Sequence, residues 1–180
     1  MKSTYAIDPA HSNVQFSIRH MMISNVKGAF SGVKGTVVFD SDAPETGSVE
    51  TEIDASTINT HDATRDAHLK SPDFLDVAQY PTITFKSTKL EGTSNELKIH
   101  GDLTIHGVTR PVTLSVEDIS PEGKDPWGNT RVGASAKTKV KRGDFGLTWN
   151  AALETGGFLV GDELKLDFEV ELIKQAAAAA

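Results

Sequence analysis

The chain has 180 residues, a net charge of −7 from 25 acidic and 18 basic side chains, and no cysteine. Its length suits one domain with one sizeable core. The missing cysteines exclude disulfides, thiolate metal sites and cysteine nucleophiles, and the acidic balance argues against broad nucleic-acid binding, which needs clustered Lys and Arg.

The N-terminal MKSTYAIDPAHS carries one lysine and no apolar run behind it, so no secretory signal peptide is expected. No stretch reaches the length of a membrane span. The expectation is a cytoplasmic protein, or a periplasmic one if a leader has been removed. Val14, Phe16 and Ile18 alternate with Gln15, Ser17 and Arg19, the period of two that marks a strand with one apolar face. Met21-Met22-Ile23 is a short apolar run, after which Val26 to Phe30 leads through Gly32 into a strand over 33–40 with Val33, Val37 and Phe39 on one side. The turn-rich 41–47 predicts a hairpin connection to a strand carrying Val49, Thr51, Ile53 and Ala55.

The stretch DATRDAHLKSPDFLDVAQYPTITF interrupts this alternation. Thr60 and Asp62 are both suited to cap a helix, and Asp66 complements its positive end. Ser71-Pro72 ends the run, because proline disfavours helical geometry at the residue before it, and Ser71 is placed to start a second turn through Phe74. The spacing predicts a short helical insertion over about 61–76, laid across one end of an otherwise all-β chain.

Strands resume at 82–90, 97–105 and around Val112, Leu114 and Val116, with Glu91 to Asn95 and His106-Gly107 as turns. A loop over 121–129 precedes a strand from Thr130 in which Ala134, Ala136 and Thr138 share a face. The turn Glu154-Thr155-Gly156-Gly157 then leads to Leu164, Leu166, Phe168, Val170 and Leu172 in alternation with charged residues. Residues 1–175 read as one domain and 176–180 as a disordered alanine tail. About eight strands joined by short loops predict an antiparallel meander, closed into a barrel or folded as a sandwich. The barrel is preferred because every long strand has one apolar and one charged face and because small residues line the strand from Thr130.

Four motifs carry a family resemblance: DPAHSNVQFSIRHMMISNVKGAF, DATRDAHLKSPDFLDVAQYPTITFKST, GDLTIHGVTRPVTLSVE and KRGDFGLTWNAALETGGFLVGDELKLDFEVE. Together, from about Tyr5 to Lys174, they resemble the YceI-like family of polyisoprenoid-binding, lipocalin-like proteins. The resemblance implies an extended eight-stranded antiparallel lipocalin-like barrel with a helical insertion and an elongated apolar pocket. It implies as ligand a long amphiphile such as a polyprenyl phosphate, a quinone or a fatty amide. The expected function is non-enzymatic binding or carriage of such a lipid, with no cofactor beyond the isoprenoid or quinone-like ligand itself, and with a homodimer as the expected assembly. The alternatives are an enzyme acting on an isoprenoid lipid, with Asp66 and His68 as acid or base, and a ligand-free stress-related interaction module.

The expected pocket lining is Phe16, Ile18, Phe39, Ile53, Leu69, Phe74, Phe85, Ile99, Leu103, Phe145, Trp149, Leu166 and Phe168. By residue type alone these suit a filled core and a hollow pocket equally. Arg65, His68 and Lys70 on the insertion, with Arg142, are the expected head-group cations, against the plain alternative of structural ion pairs to Asp66 or Asp144. No metal site is expected: His61 and His68 lie two helical turns apart, and His100 and His106 are about 20 Å apart along a strand. No Gly-x-Ser-x-Gly nucleophile turn occurs.

Overall fold

Alternation along each strand decides which side chains turn inward, and the pairing of first and last strands decides that there is an inside. The computed structural model describes residues 1–176; beyond Ala176, the expected alanine tail lies outside the described residues. β1 (Ser3–Ile7) and β2 (Asn13–His20) run in succession along β11 (Val160–Lys174), with Tyr5 opposite Lys174, Ile7 opposite Leu172, Val14 opposite Phe168 and Ile18 opposite Leu164. β3 (Ser24–Phe30) and β4 (Val33–Phe39) pair with β2 and β1, so each couple occupies one position in the ring. The circuit continues through β5 (Ser48–Asp54), β6 (Thr82–Thr93), β7 (Glu96–Ile105), β8 (Val108–Ile119) and β10 (Thr130–Lys141), with the two-residue β9 (Gly123–Lys124) at its edge. A ladder from Arg131–Ile173 to Lys141–Glu163 joins β10 to β11 and closes an eight-position antiparallel barrel.

The insertion lies between β5 and β6, at the end of the barrel we call the lid end. α1 (Ala63–Lys70) is N-capped by Asp62, whose carboxylate accepts from Arg65 N at 2.9 Å. The expected second helical piece is instead a pair of hydrogen-bonded turns, with Phe74 N and Asp76 N both donating to the Ser71 carbonyl. Two strands were not legible as such. β1 is five residues long, and β3 carries Gly28 and Ala29 where an apolar side chain would have marked the face; the Phe16 ring lies over Gly28 instead.

Two hairpin turns place non-glycine residues in left-handed backbone. His106 (φ 53°) and Gly107 (φ 70°) join β7 to β8 in the two-residue hairpin that the sequence predicts. Between β2 and β3, Met21 (φ 50°) and Met22 (φ 61°) take the same geometry without a glycine, which costs roughly 1–2 kcal/mol per residue. β8 and β10 pair only between Ser115–Ile119 and Ala134–Lys137; lower down they separate, and Phe145, from a 3-10 turn over Arg142–Phe145, packs where they part.

Gly101 on β7 lies against the Phe85 ring, and a Cβ there would sit 2.5 Å from both Phe85 Cζ and the Lys86 carbonyl oxygen. Gly101→Val should therefore destabilise the barrel by about 1–3 kcal/mol, read from the midpoint of urea unfolding. An unchanged midpoint would show that the two strands can part freely.

Candidate ligand-binding site

The inward row does not fill the barrel. The wide chamber has a volume of about 630 Å³, and its walls include Ile7, Val37, Phe39, Val49, Phe85, Leu90, Leu97, Ile99, Leu114, Val132 and Val170. Ala134 and Ala136 line it as well, so the small residues on β10 leave space. A second, narrow chamber of about 110 Å³ lies toward the lid end, lined by Val14, Phe16, Ile18, Ile53, Leu69, Phe74, Leu75, Ile83, Leu103, Leu147, Leu164 and Leu166. Phe168 lines both, at the boundary between them. Eleven of the thirteen expected lining residues therefore face one chamber or the other.

Phe145 and Trp149 do not. Strand alternation stops at Lys141, and the 3-10 turn swings Phe145 into the outer seam between β8 and β10, where it is 1 % exposed. Trp149 stacks against the lid, its ring centre 4.7 Å from His68 and 5.3 Å from Phe74.

The wide chamber runs out to Ser41, Ser94, Asn95, Pro121 and Glu122, loop residues at the end of the barrel opposite α1. There Tyr5 Oη and Lys174 Nζ both donate to Glu122 Oε1 at 2.7 Å. Lys174 pulls the Glu122 carboxyl below the usual range, and desolvation together with Glu122 pushes the Tyr5 hydroxyl up. This polar group stands at the rim of a mostly apolar wall. It was missed in the sequence because its three members are far apart along the chain.

The expected head-group cations lie at the other end, and three of them are spent on the protein. Arg65 Nε donates to Thr60 Oγ1 and its Nη2 to the Thr60 carbonyl, both at 2.8 Å, while Asp66 Oδ1 accepts from Thr60 N and Oγ1 at 2.8 and 2.6 Å. Arg142 is buried, its guanidinium donating to the carbonyls of Gly161, Leu147 and Trp149 at 2.7, 2.6 and 2.9 Å; burial lowers its pKa. His68 lies edge-on to Phe74 and Trp149 with Nε2 2.8 Å from Asp73 Oδ2. Lys70 is half-buried at the end of α1. For Arg65 and Arg142 the difference has a simple cause: the sequence shows the charge, whereas the oxygens of Thr60, Leu147, Trp149 and Gly161 set where the donors point. Asp66 and His68, weighed as an acid–base pair, hold different partners.

A family profile for the YceI-like domain matches residues 5–172. The chain belongs to the YceI-like family. Protein YceI of Escherichia coli O157:H7 is 43 % identical over 145 residues, which span 79 % of this chain and 75 % of that protein. The crystal structure of Burkholderia cenocepacia BcnA superposes with a TM-score of 0.79 at 25 % identity, over 92 % of this chain and 98 % of that one. A polyisoprenoid binding domain from Saccharophagus degradans, implicated in plant cell wall breakdown, shares the fold with a TM-score of 0.65 at 16 % identity, over 95 % and 98 % of the two chains. Among the described residues, no helix of this YceI-like chain is long and apolar enough to cross a membrane.

One polar cluster on this YceI-like barrel was not foreseen. Asp8, His11 and Glu171 bring ligand atoms within 4.8 Å of one another, a grouping that suits a metal ion, but a cation is already built in. Arg131 Nη1 donates to Asp8 and Glu171 at 2.6 Å and its Nε to Asp125 at 2.7 Å, tying together the β1–β2 turn, β11, the 121–129 loop and β10. Arg131, with His11, draws the Asp8 carboxyl from 3.8 down to about 2. A carboxyl depressed by folding contributes stability that is complete above its unfolded value and is lost as pH falls through its folded one. Arg131→Met should therefore unfold at a lower temperature than the parent at neutral pH, and the gap should narrow between the unfolded value of 3.8 and the folded value of about 2. Thermal melts across that range check this; a gap constant down to the folded value would contradict it.

Proposed function

We propose that the barrel binds one long-chain amphiphile, an isoprenoid or similar lipid, and carries it without chemical change. The observation that supports this reading most directly is the wide chamber. Its volume of about 630 Å³ falls in the range of small-molecule sites, and its walls are mostly apolar side chains, with the charged side chains at the rim. Burial of each methylene contributes about 0.8 kcal/mol, so ten buried carbons supply roughly 8 kcal/mol before the cost of ordering the chain. A wall of this kind measures length and girth, which suits a repeating tail better than a compact polar substrate. The tail lies along Phe39, Phe85, Ile99, Ala134 and Ala136 toward Phe168, and the head stays wet at the rim, within reach of Tyr5, Glu122 and Lys174.

Membership of the YceI-like family supports the same reading, and the Saccharophagus domain of like fold is itself described as polyisoprenoid binding. The hollow interior weighs against a filled interaction module. The separation of Asp66 from His68 weighs against the acid–base alternative.

Protein purified from its native host without detergent should yield an extractable long-chain lipid by mass spectrometry. Ala136→Trp, which places an indole into the wide chamber, should reduce the recovered lipid about tenfold or more while the barrel still folds. Equal recovery from the folded variant would place the ligand elsewhere, and repeated absence of lipid from the parent would remove the carrier reading.

A further inference from the structure

The hairpin between β2 and β3 ends in three exposed apolar side chains: Met21, Met22 and Ile23 are 43, 60 and 75 % accessible. Two of them hold left-handed backbone that glycine or asparagine would adopt with far less strain, and the turn closes through Ile23 N donating to the His20 carbonyl at 3.2 Å. A second loop buttresses it. Met21 N donates to the Leu159 carbonyl at 2.7 Å, a Cβ at Gly157 would collide with Met22 Sδ, and the neighbouring Phe158 is 62 % accessible. Four large apolar side chains are thus held out into water at the lid end by a turn that resists its own sequence. Strain of this kind persists where the surroundings enforce it and is concentrated at functional sites.

The outer face behind the tip carries a row of cations, although the protein as a whole has a net charge of −7. Lys139 of β10, Lys165 of β11, Ser17 of β2 and Lys27 of β3 lie opposite one another in a single cross-strand row, and Arg19 follows two residues nearer the tip. Like charges directly opposite, as Lys139 and Lys165 are, disfavour the sheet unless an anion lies nearby. Lys139 reaches Glu163 at 3.7 Å, but Lys27 and Lys165 have no ion-pair partner among the described residues, and Arg19 donates to the Met22 carbonyl. Of the other acids here, Asp167 shares the outward face of β11 with Lys165 but lies opposite Lys137, Asp162 accepts from Gly143 N, and Glu154 is exposed on the buttressing loop. The rim end also exposes a large apolar side chain, Trp127, on the turn that Asp125 holds, but Arg131 and Lys174 there are paired with Asp125 and Glu122.

We infer that the Met21–Met22–Ile23 tip with Phe158 is a docking surface for an anionic lipid bilayer, the apolar side chains entering the interface and Arg19, Lys27 and Lys165 facing the head groups. Apolar insertion flanked by cations is the arrangement that binds negatively charged membrane surfaces. Docking would turn α1 and the narrow chamber toward the bilayer. The inference does not need the barrel to be occupied, so it stands or falls separately from the carrier reading.

The test is flotation of the full chain with vesicles of phosphatidylcholine containing phosphatidylglycerol, against vesicles of phosphatidylcholine alone. Three proteins are compared: the parent, Met21→Asn/Met22→Gly, and Lys27→Glu/Lys165→Glu. The parent should float with the anionic vesicles, less so at high salt, and each double variant should partition about tenfold less. Because asparagine and glycine relieve the left-handed strain, Met21→Asn/Met22→Gly should melt no lower than the parent while losing vesicle binding, a combination that a purely structural tip would not give. A parent that stays with the soluble fraction at low salt would overturn the inference, as would a folded tip variant that floats like the parent. So would a concentration-dependent dimer, seen by light scattering and lost in the tip variant, which would assign the patch to a second copy of the chain.

Discussion

The ladder between β10 and β11 governs everything else in this molecule. With it, no long strand edge is left along most of the circuit, every inward residue faces the same axis, and the interior is bounded on all sides. How much of that interior fills is then a question of side-chain size. Ala134 and Ala136 on β10 lie opposite Val170 and Phe168 on β11, and the space they decline to occupy is the wide chamber. Toward the lid end, Phe16, Phe30, Leu103 and Leu166 close in, and the narrow chamber remains.

Closure also makes the two ends of the barrel unlike. At the lid end the insertion is fastened by groups that satisfy one another: Thr60 is bonded to both Arg65 and Asp66, His68 rests between two rings and an aspartate, and Arg142 gathers the carbonyls of Leu147 and Trp149 and that of Gly161 at the start of β11. Arg142 is a buried charge whose donors are met by backbone acceptors, which compensates its desolvation. At the rim, by contrast, the hydroxyl of the buried Tyr5 meets Glu122 and Lys174, which stay partly open to solvent beside a mostly apolar wall. The first arrangement holds a lid; the second can meet a polar head group.

Much of the architecture was legible in the residues. Strict alternation in Val14 to Ile18 and Leu164 to Leu172 fixed the inward faces, and the Asp62 cap with Ser71-Pro72 bounded the helix. What was not legible has physical causes. Phe145 and Trp149 lie beyond Lys141, where the chain turns into a 3-10 helix, so strand parity no longer says which way their side chains face. The short β1 and the glycine-bearing β3 offered no apolar row to read. The Arg131 cluster joins Asp8, Asp125 and Glu171, and the rim joins Tyr5, Glu122 and Lys174, across separations that only the closed ring brings together. Charge was visible in the sequence; partnership was not.

Whether the space within the barrel belongs to a ligand is decided by crystallographic density for protein purified from its native host without detergent. Unbroken tubular density should run from the rim near Glu122 past Ala136 toward Phe168. An interior closed by repacked side chains, with no density and no room between Phe39, Phe85 and Phe168, would contradict it.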